Sequence, residues 1–243
     1  MICVTGDTHG FQTPWRTCLN NVLHEGDTVI VAGDFGFGFH EGGDHPDDEF
    51  YDYLEQQPYT ILFIDGNHEN FAKLNSYPVE HWHGGRVHFI RKNLIHLMRG
   101  EIVEIEGKKI FCFGGGFSLD KAMRTEGKSW WPEEMPSEEE YKHASQTLEN
   151  SGWTVDYIIT HTAPFNTVEY MDRRNLGIKN TVYEEMRLTG YLQWVVEKVK
   201  YEKWYFGHFH IDAELWKSQY ALLDSVRDLC TGELIAMRGG INL

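Results

Sequence analysis

Long apolar runs, surplus positive charge and paired cysteines are missing from this sequence, and each absence excludes something. No stretch approaches the ~18 apolar residues that a membrane-spanning helix requires, so no membrane partner is expected. Lys and Arg total 22 against 37 Asp and Glu, a formal charge of −15. A surface that acidic disfavours extended nucleic acid, whose backbone is held by clustered cations. A small phosphorylated ligand stays compatible, because a bound metal ion reverses the field locally. The four cysteines, Cys3, Cys18, Cys112 and Cys230, form no Cys-x-x-Cys pair and no zinc-ribbon spacing. Three of them lie in apolar stretches, so reduced, structural thiols suited to the cytosol are expected. Nucleotide-binding P-loops, the dinucleotide fingerprint and the Gly-x-Ser-x-Gly elbow are also absent, which disfavours kinases and serine hydrolases. Residues 1–7 run straight into a strand-like pattern without a basic or long apolar leader, and a cytoplasmic chain is the expectation.

What is present fits one large α/β domain spanning residues 1–243, a length short for two independent units. Aromatic residues make up 14%, enough for a well-filled core and aromatic-lined clefts. Five short apolar runs each stop at a polar, motif-like segment, as buried strands do. Residues 2–5 lead into Gly6-Asp7-Thr8-His9-Gly10, and 28–32 lead into Gly33-Asp34. Residues 60–64 lead into Asp65-Gly66-Asn67-His68-Glu69, 155–160 into His161-Thr162-Ala163-Pro164, and 204–206 into Gly207-His208-Phe209-His210.

Helical patterns lie between these runs, at residues 14–23, 46–56, 137–148 and 181–199. Ser137 with Glu140, and Thr181 with Glu184, have the spacing of capping boxes. In the last helix Leu188, Leu192, Val195, Val196 and Val199 share one face. Residues 86–113 alternate and turn at Glu106-Gly107-Lys108, which predicts successive antiparallel strands. The segments 213–216, 220–223 and 234–237 are further strand candidates. The order predicts two mixed sheets packed face to face with helices outside.

Ligands of open α/β sheets bind beyond the carboxyl ends of the strands. Here all five strand ends carry Asp, Asn or His, the side chains that bind hard or borderline divalent metals. His81-Trp82-His83 has a similar spacing but lies outside the five blocks and is not assigned to the site. The acidic residues 44–49 read as a solvated helix start, and Trp130-Trp131 as a packed loop rather than a roof over the site.

Taken together, Asp7-Thr8-His9, Gly33-Asp34, Gly66-Asn67-His68-Glu69, His161 and Gly207-His208-Phe209-His210 resemble the signature of calcineurin-like metallophosphoesterases. The blocks follow the family's order from residue 5 to residue 210. The resemblance implies a four-layer αββα sandwich and a centre of two divalent ions. Asp7, His9 and His210 would hold one ion, Asn67, His161 and His208 the other, and Asp34 would bridge them. An anionic bidentate bridge suits two dications, while the neutral Asn67 oxygen limits the negative charge. Mn²⁺ is the first expectation for a thiolate-free donor set, with Zn²⁺ or an iron-containing pair also compatible. The implied chemistry is hydrolysis of a phosphomonoester or small phosphodiester, with ions roughly 3.5–4 Å apart and in-line attack by a bridging hydroxide. His68 would stand beside the leaving group as general acid or hydrogen-bond donor. Glu69 reads as a helix N-terminal residue favoured by the dipole.

The sequence departs from the serine/threonine phosphoprotein phosphatases and diadenosine tetraphosphatases. Those enzymes carry an arginine after the second block's Asp and another before Gly-Asn-His-Glu, and neither is present here. Bidentate guanidinium contacts suit a terminal phosphate, so their absence argues against a phosphoprotein phosphatase. Gly114-Gly115-Gly116-Phe117-Ser118-Leu119-Asp120-Lys121 resembles a bacterial and phage branch of the superfamily. That segment, with Arg124 as the candidate substrate-binding residue, is the expected source of local contacts, Lys121 being weaker. The Phe35–Phe39 run offers either a glycine–aromatic lip near the metals or a turn that fills the core. A scaffold of the same fold without turnover is the competing reading, and the intact ligand set with His68 favours the enzyme.

Overall fold

The computed structural model describes residues 1–39, 47–177 and 183–239. The first half of the chain builds one sheet from β1 (Ile2–Thr5), β2 (Thr28–Val31), β3 (Thr60–Phe63), β4 (Glu80–Trp82), β5 (Gly85–Phe89) and β6 (Leu94–Leu97). A second sheet takes β7 (Glu101–Ile105), β8 (Lys108–Phe113), β9 (Tyr157–Thr160), β10 (Lys203–Phe206), β11 (Ala213–Leu215) and β12 (Gln219–Ala221). β13 (Ser225–Asp228) and β14 (Leu234–Met237) return to the first sheet. The strand orders are β14-β13-β1-β2-β3-β6-β5-β4 and β11-β12-β10-β9-β8-β7. Strands β1, β2, β3 and β6 run parallel, as do β8, β9, β10 and β12. The outer pairings are antiparallel, so both sheets are mixed.

Three apolar layers hold the sheets and helices together. Ile2, Val4, Ile30, Leu62, Ile110 and Ile159 interdigitate between the two sheets. Cys3, Val29, Val31 and Phe63 alternate to the opposite face of the first sheet, where they pack on Trp15, Leu19, Phe50 and Leu54. That alternation is the period-two geometry of a strand buried on both faces. The outer residues belong to a π-helical turn at Trp15–Leu19 continued by α1 (Asn20–Val22), and to α2 (Asp47–Glu55). The short α3 (Phe71–Leu74) contributes Leu74 and is capped by the Asn70 side chain, which accepts from the Lys73 N–H. On the far side of the second sheet, α4 (Glu138–Asn150), α5 (Phe165–Arg174) and α6 (Met186–Lys198) cover Phe111, Ile158 and Trp204. The result is helices, sheet, sheet, helices, the expected αββα order.

Local expectations fare unevenly. The capping box of Ser137 and Glu140 is formed in both directions. Thr181 of the other box lies outside the described residues, and α6 starts at Met186 after a 3₁₀ turn at Tyr183–Glu185. Leu188, Leu192 and Val195 form its buried face. The helix expected over 46–56 is α2; residue 46 and the acidic residue 44 lie outside the described residues, while Asp47, Asp48 and Glu49 open the helix. Residues 86–113 are not one meander. β5 and β6 pair in the first sheet, the chain crosses over at Met98–Gly100, and β7 and β8 pair in the second. Alternation reports a strand's faces but not which sheet it joins. Gly100 makes the crossover, with φ +80° and no room for a Cβ, which would stand 2.8 Å from Ala144 of α4. β13 has no counterpart among the expected strands, since Ser-Val-Arg-Asp carries little apolar alternation. Cys3, Cys18, Cys112 and Cys230 are free, the first three buried.

Candidate metal centre

The parallel topology sets β1, β2 and β3 side by side in one sheet and β9 and β10 side by side in the other. Their carboxyl ends therefore deliver five short segments to one edge of the sandwich. Four of the residues delivered there, His9, Asp34, His208 and His210, have φ between 46° and 70°. Left-handed backbone at non-glycine residues is uncommon and tends to mark functional sites.

On one side, His9 Nε2 lies 3.3 Å from His210 Nε2, and Asp7 Oδ2 lies 3.4 Å from His210 Nε2 and 3.8 Å from His9 Nε2. On the other, His161 Nε2 lies 3.0 Å from Asn67 Oδ1 and 3.3 Å from Asp34 Oδ1. Asp34 Oδ2 faces His9 Nδ1 at 3.8 Å. The ligand atoms of Asp7, His9 and His210 lie within 4.8 Å of one another, as do those of Asp7, Asp34 and His161, and those of His9, Asp34 and His68. Each group could hold a metal ion.

Surrounding groups fix these side chains. The His161 Nδ1–H donates to the Ala32 carbonyl at 3.0 Å, which leaves Nε2 as the lone-pair nitrogen facing Asp34. Asp34 Oδ1 accepts from the backbone N–H groups of Asn67 (2.7 Å) and His68 (2.8 Å). Asp7 accepts from the His208 backbone N–H at 3.1 and 3.2 Å. His208 Nε2 meets Glu185 Oε1 at 3.4 Å. Burial pushes the His208 imidazole down, and the Glu185 carboxylate overrides it and raises the pKa. Glycines make room for these ligands. A Cβ on Gly66 would stand 2.0 Å from Asp34 Oδ1, and one on Gly207 would stand 2.1 Å from Asp7 Oδ1.

Asp7 and Asp34 are almost wholly buried, yet among the described residues neither has a Lys or Arg partner at ion-pair distance. Two carboxylates buried among imidazoles and amides are costly unless positive charge is supplied. Divalent cations supply it, and the nitrogen–oxygen donor set suits them. The residues fit the metals that the motif pattern implies.

His68 stands at the mouth, half-buried, with Phe39 stacked on it at 5.1 Å and 5°. Arg124 Nη2 donates to His68 Nε2 at 2.6 Å. A guanidinium only donates, so Nε2 accepts here. Burial first, then Arg124 and His9, push the His68 pKa down to about 4 against the upward pull of Asp34. Arg124 is held in turn by Asp120, Nε to Oδ1 at 2.8 Å. A cavity of about 170 Å³ opens over Asp34, Asn67 and His68 and is walled by Phe117, Leu119 and Arg124. Lys121 turns away and lies over the Trp130 ring at 3.8 Å. Trp131 is buried. A larger cavity of about 490 Å³, bordered by Asp65, His96 and Arg99, contains none of the metal-capable groups.

One reading needs correction, and one open alternative resolves. Glu69 does not open a helix: α3 begins at Phe71. Its carboxylate is fully buried and accepts from the Phe35 N–H (2.8 Å) and the Phe37 N–H (2.6 Å). Burial and the nearby Asp34 raise its pKa well above the ordinary range. Glu69 thus clamps the loop after Asp34. The Phe35–Phe39 run divides in two: Phe35 and Phe37 fill the core beside Phe63 and Tyr51, and Phe39 alone reaches His68. His81-Trp82-His83 lies on and just past the edge strand β4, with His83 Nδ1 against the Glu104 carbonyl, away from the centre. Glu185 carries no motif signal, and Asp120 is visible in sequence only as a member of the Gly114–Lys121 segment, without its partner Arg124.

A cluster of carboxylate and imidazole groups that could hold metal ions thus sits at the carboxyl ends of the strands in an α/β sandwich of two mixed sheets. The calcineurin-like phosphoesterase model matches residues 1–212, and the chain belongs to that family. No curated protein matches the chain. Among the described residues, no helix is long and apolar enough to cross a membrane.

Proposed function

We propose that the chain hydrolyses a small phosphorylated substrate, a phosphomonoester or phosphodiester, with two divalent ions. Asp7, His9 and His210 would hold one, Asn67, His161 and His208 the other, with Asp34 shared. The reading rests on Asp34, whose Oδ1 faces His161 and whose Oδ2 faces His9. Bound there, divalent ions supply Lewis acidity and lower the pKa of water toward neutrality. Mn²⁺ is the proposed metal, and Zn²⁺ or iron fits the same donors.

The remaining work falls to the chain's own groups. The ring hydrogen bonds of His161 and His208 orient their imidazoles. Arg124 offers a guanidinium at the cavity wall, and a phosphate oxygen competes with His68 for its Nη2 donor. When Arg124 turns to the phosphate, His68 Nε2 is released to take up a proton from solvent and hold it against the leaving oxygen. Phe39 keeps that ring from rotating. Strands β11 to β14 all lie beyond the matched span and extend both sheets, which supports reading the chain as a single domain.

The test is hydrolysis of p-nitrophenyl phosphate and bis-p-nitrophenyl phosphate by metal-stripped protein, before and after Mn²⁺, Zn²⁺ or Fe²⁺ is added. Activity should return with metal and fall at least about a hundredfold in His68→Ala and Asp34→Asn. Metal binding without turnover of either ester would instead identify an inactive scaffold.

A further inference from the structure

Resting on the hydrolase reading, we infer that the site takes phosphodiesters in preference to monoesters, and that Asp120 is the residue that sets this preference. Among the described residues lining the cavity, Arg124 is the one Lys or Arg, and each of its three guanidinium nitrogens already has a partner. Nε is on Asp120 at 2.8 Å, Nη2 on His68 at 2.6 Å and Nη1 on the Ser129 carbonyl at 3.2 Å. Lys121, the nearest other cation in sequence, is stacked on Trp130. Outside the metal ligands, the lining therefore carries one positive and one negative side chain.

A monoester has a second phosphate pKa of about 6 and is close to a dianion at neutral pH. A diester carries a single charge. Recognition of a terminal phosphate calls for uncompensated, bidentate guanidinium donors. Here the sole guanidinium is already compensated, and the compensating carboxylate itself lines the cavity with 42% of its side chain exposed. The second charge of a monoester therefore meets a carboxylate instead of a cation. In a diester that oxygen bears an organic arm, and the same wall offers apolar surface for it. Phe117 borders the cavity, and Leu119 does so while 47% exposed. Both come from the loop that carries Asp120, so charge exclusion and apolar contact act on the same substituent.

The metal-loaded protein is assayed with p-nitrophenyl phosphate and p-nitrophenyl phenyl phosphate, which share a leaving group. Inorganic phosphate serves as a competing dianion. The expected result is a higher kcat/KM for the diester in the wild type. In Asp120→Asn the ratio should move roughly five- to tenfold toward the monoester, with tighter inhibition by phosphate. Leu119→Ser should also lower the diester-to-monoester ratio, but by loss of the aryl diester alone and with phosphate inhibition unchanged. A residue that merely braced Arg124 would change both esters in step, and that outcome overturns the inference. So does a wild-type preference for the monoester, in which case the hydrolase reading survives. No metal-dependent turnover of either ester sinks the hydrolase reading and this inference with it.

Discussion

Arg99 sets both Nε (2.8 Å) and Nη2 (2.5 Å) on Asp65 Oδ2, with both side chains almost wholly buried. Burial alone would raise the Asp65 carboxyl, and Arg99 with His96 brings it down to about 2. The pair joins three segments. Arg99 Nη2 also donates to the Glu133 carbonyl, the Asp65 carbonyl accepts from the Gly115 N–H, and the Gly116 N–H donates to the Glu134 carbonyl. The end of β3, the glycine loop and the 133–134 turn are thus fastened behind Asn67.

Removing one partner of a buried ion pair strands the other charge. Arg99→Met is therefore expected to destabilise the fold by about 3–5 kcal/mol, with Asp65→Asn/Arg99→Met recovering much of the loss. Urea unfolding of the three proteins measures this. A single-variant loss below about 1 kcal/mol would show that solvent reaches the pair.

Glu134, which is not among the residues proposed to hold metal, supplies a pH dependence of its own. Both of its carboxylate oxygens are buried without a hydrogen-bond partner at ordinary distance. Burial pushes its pKa up to about 8, with Ser118 and Arg124 pulling only weakly the other way. The native state therefore keeps a proton that the unfolded chain releases above about pH 4.5. Stability from this group is full below that value and is lost as pH rises toward about 8. Glu134→Gln, neutral at every pH, should match the wild type near pH 5 and exceed it at pH 8.5 by a few kcal/mol, on the order of the linkage expected for a buried acid. Unfolding curves whose difference does not change between those two pH values would refute a buried neutral acid.

Glu185 ties His208 to the substrate loop, since its Oε1 also accepts from the Phe117 N–H at 3.0 Å. Loss of such a partner typically costs roughly 10–100-fold in metal affinity. Calorimetric titration of metal-free Glu185→Ala with Mn²⁺ is expected to show a weakening of that size, with Glu185→Gln falling between it and the wild type. Equal affinities in all three would remove Glu185 from the support of the centre.

Much of the architecture is legible because its signals are local. Each apolar run ends in a short polar block within a few residues, so strand, turn and ligand type are read from one window. The resemblance to a known family then gives the blocks a common site. What stays hidden acts over distance. Glu69 looks like a helix-start acid until Phe35 and Phe37, more than thirty residues earlier, present their N–H groups to it. Arg99 reads as a charge in a turn, because Asp65 is separated from it by a helix and three strands. The crossover at Gly100 has no periodic signature, since both sheets want the same apolar alternation. Phe35, Phe37 and Phe39 are chemically alike, and only the turn geometry sends two inward and one to His68.

His9 and His210 stand 3.3 Å apart in space and 201 positions apart in sequence. During synthesis, most of the polypeptide must leave the ribosome before these two rings can meet. A cation that bridges such remote segments binds the folded chain and not its fragments, and so stabilises the whole by mass action. Metal supply would then govern how much of the newly made protein persists against proteolysis, before it governs any turnover.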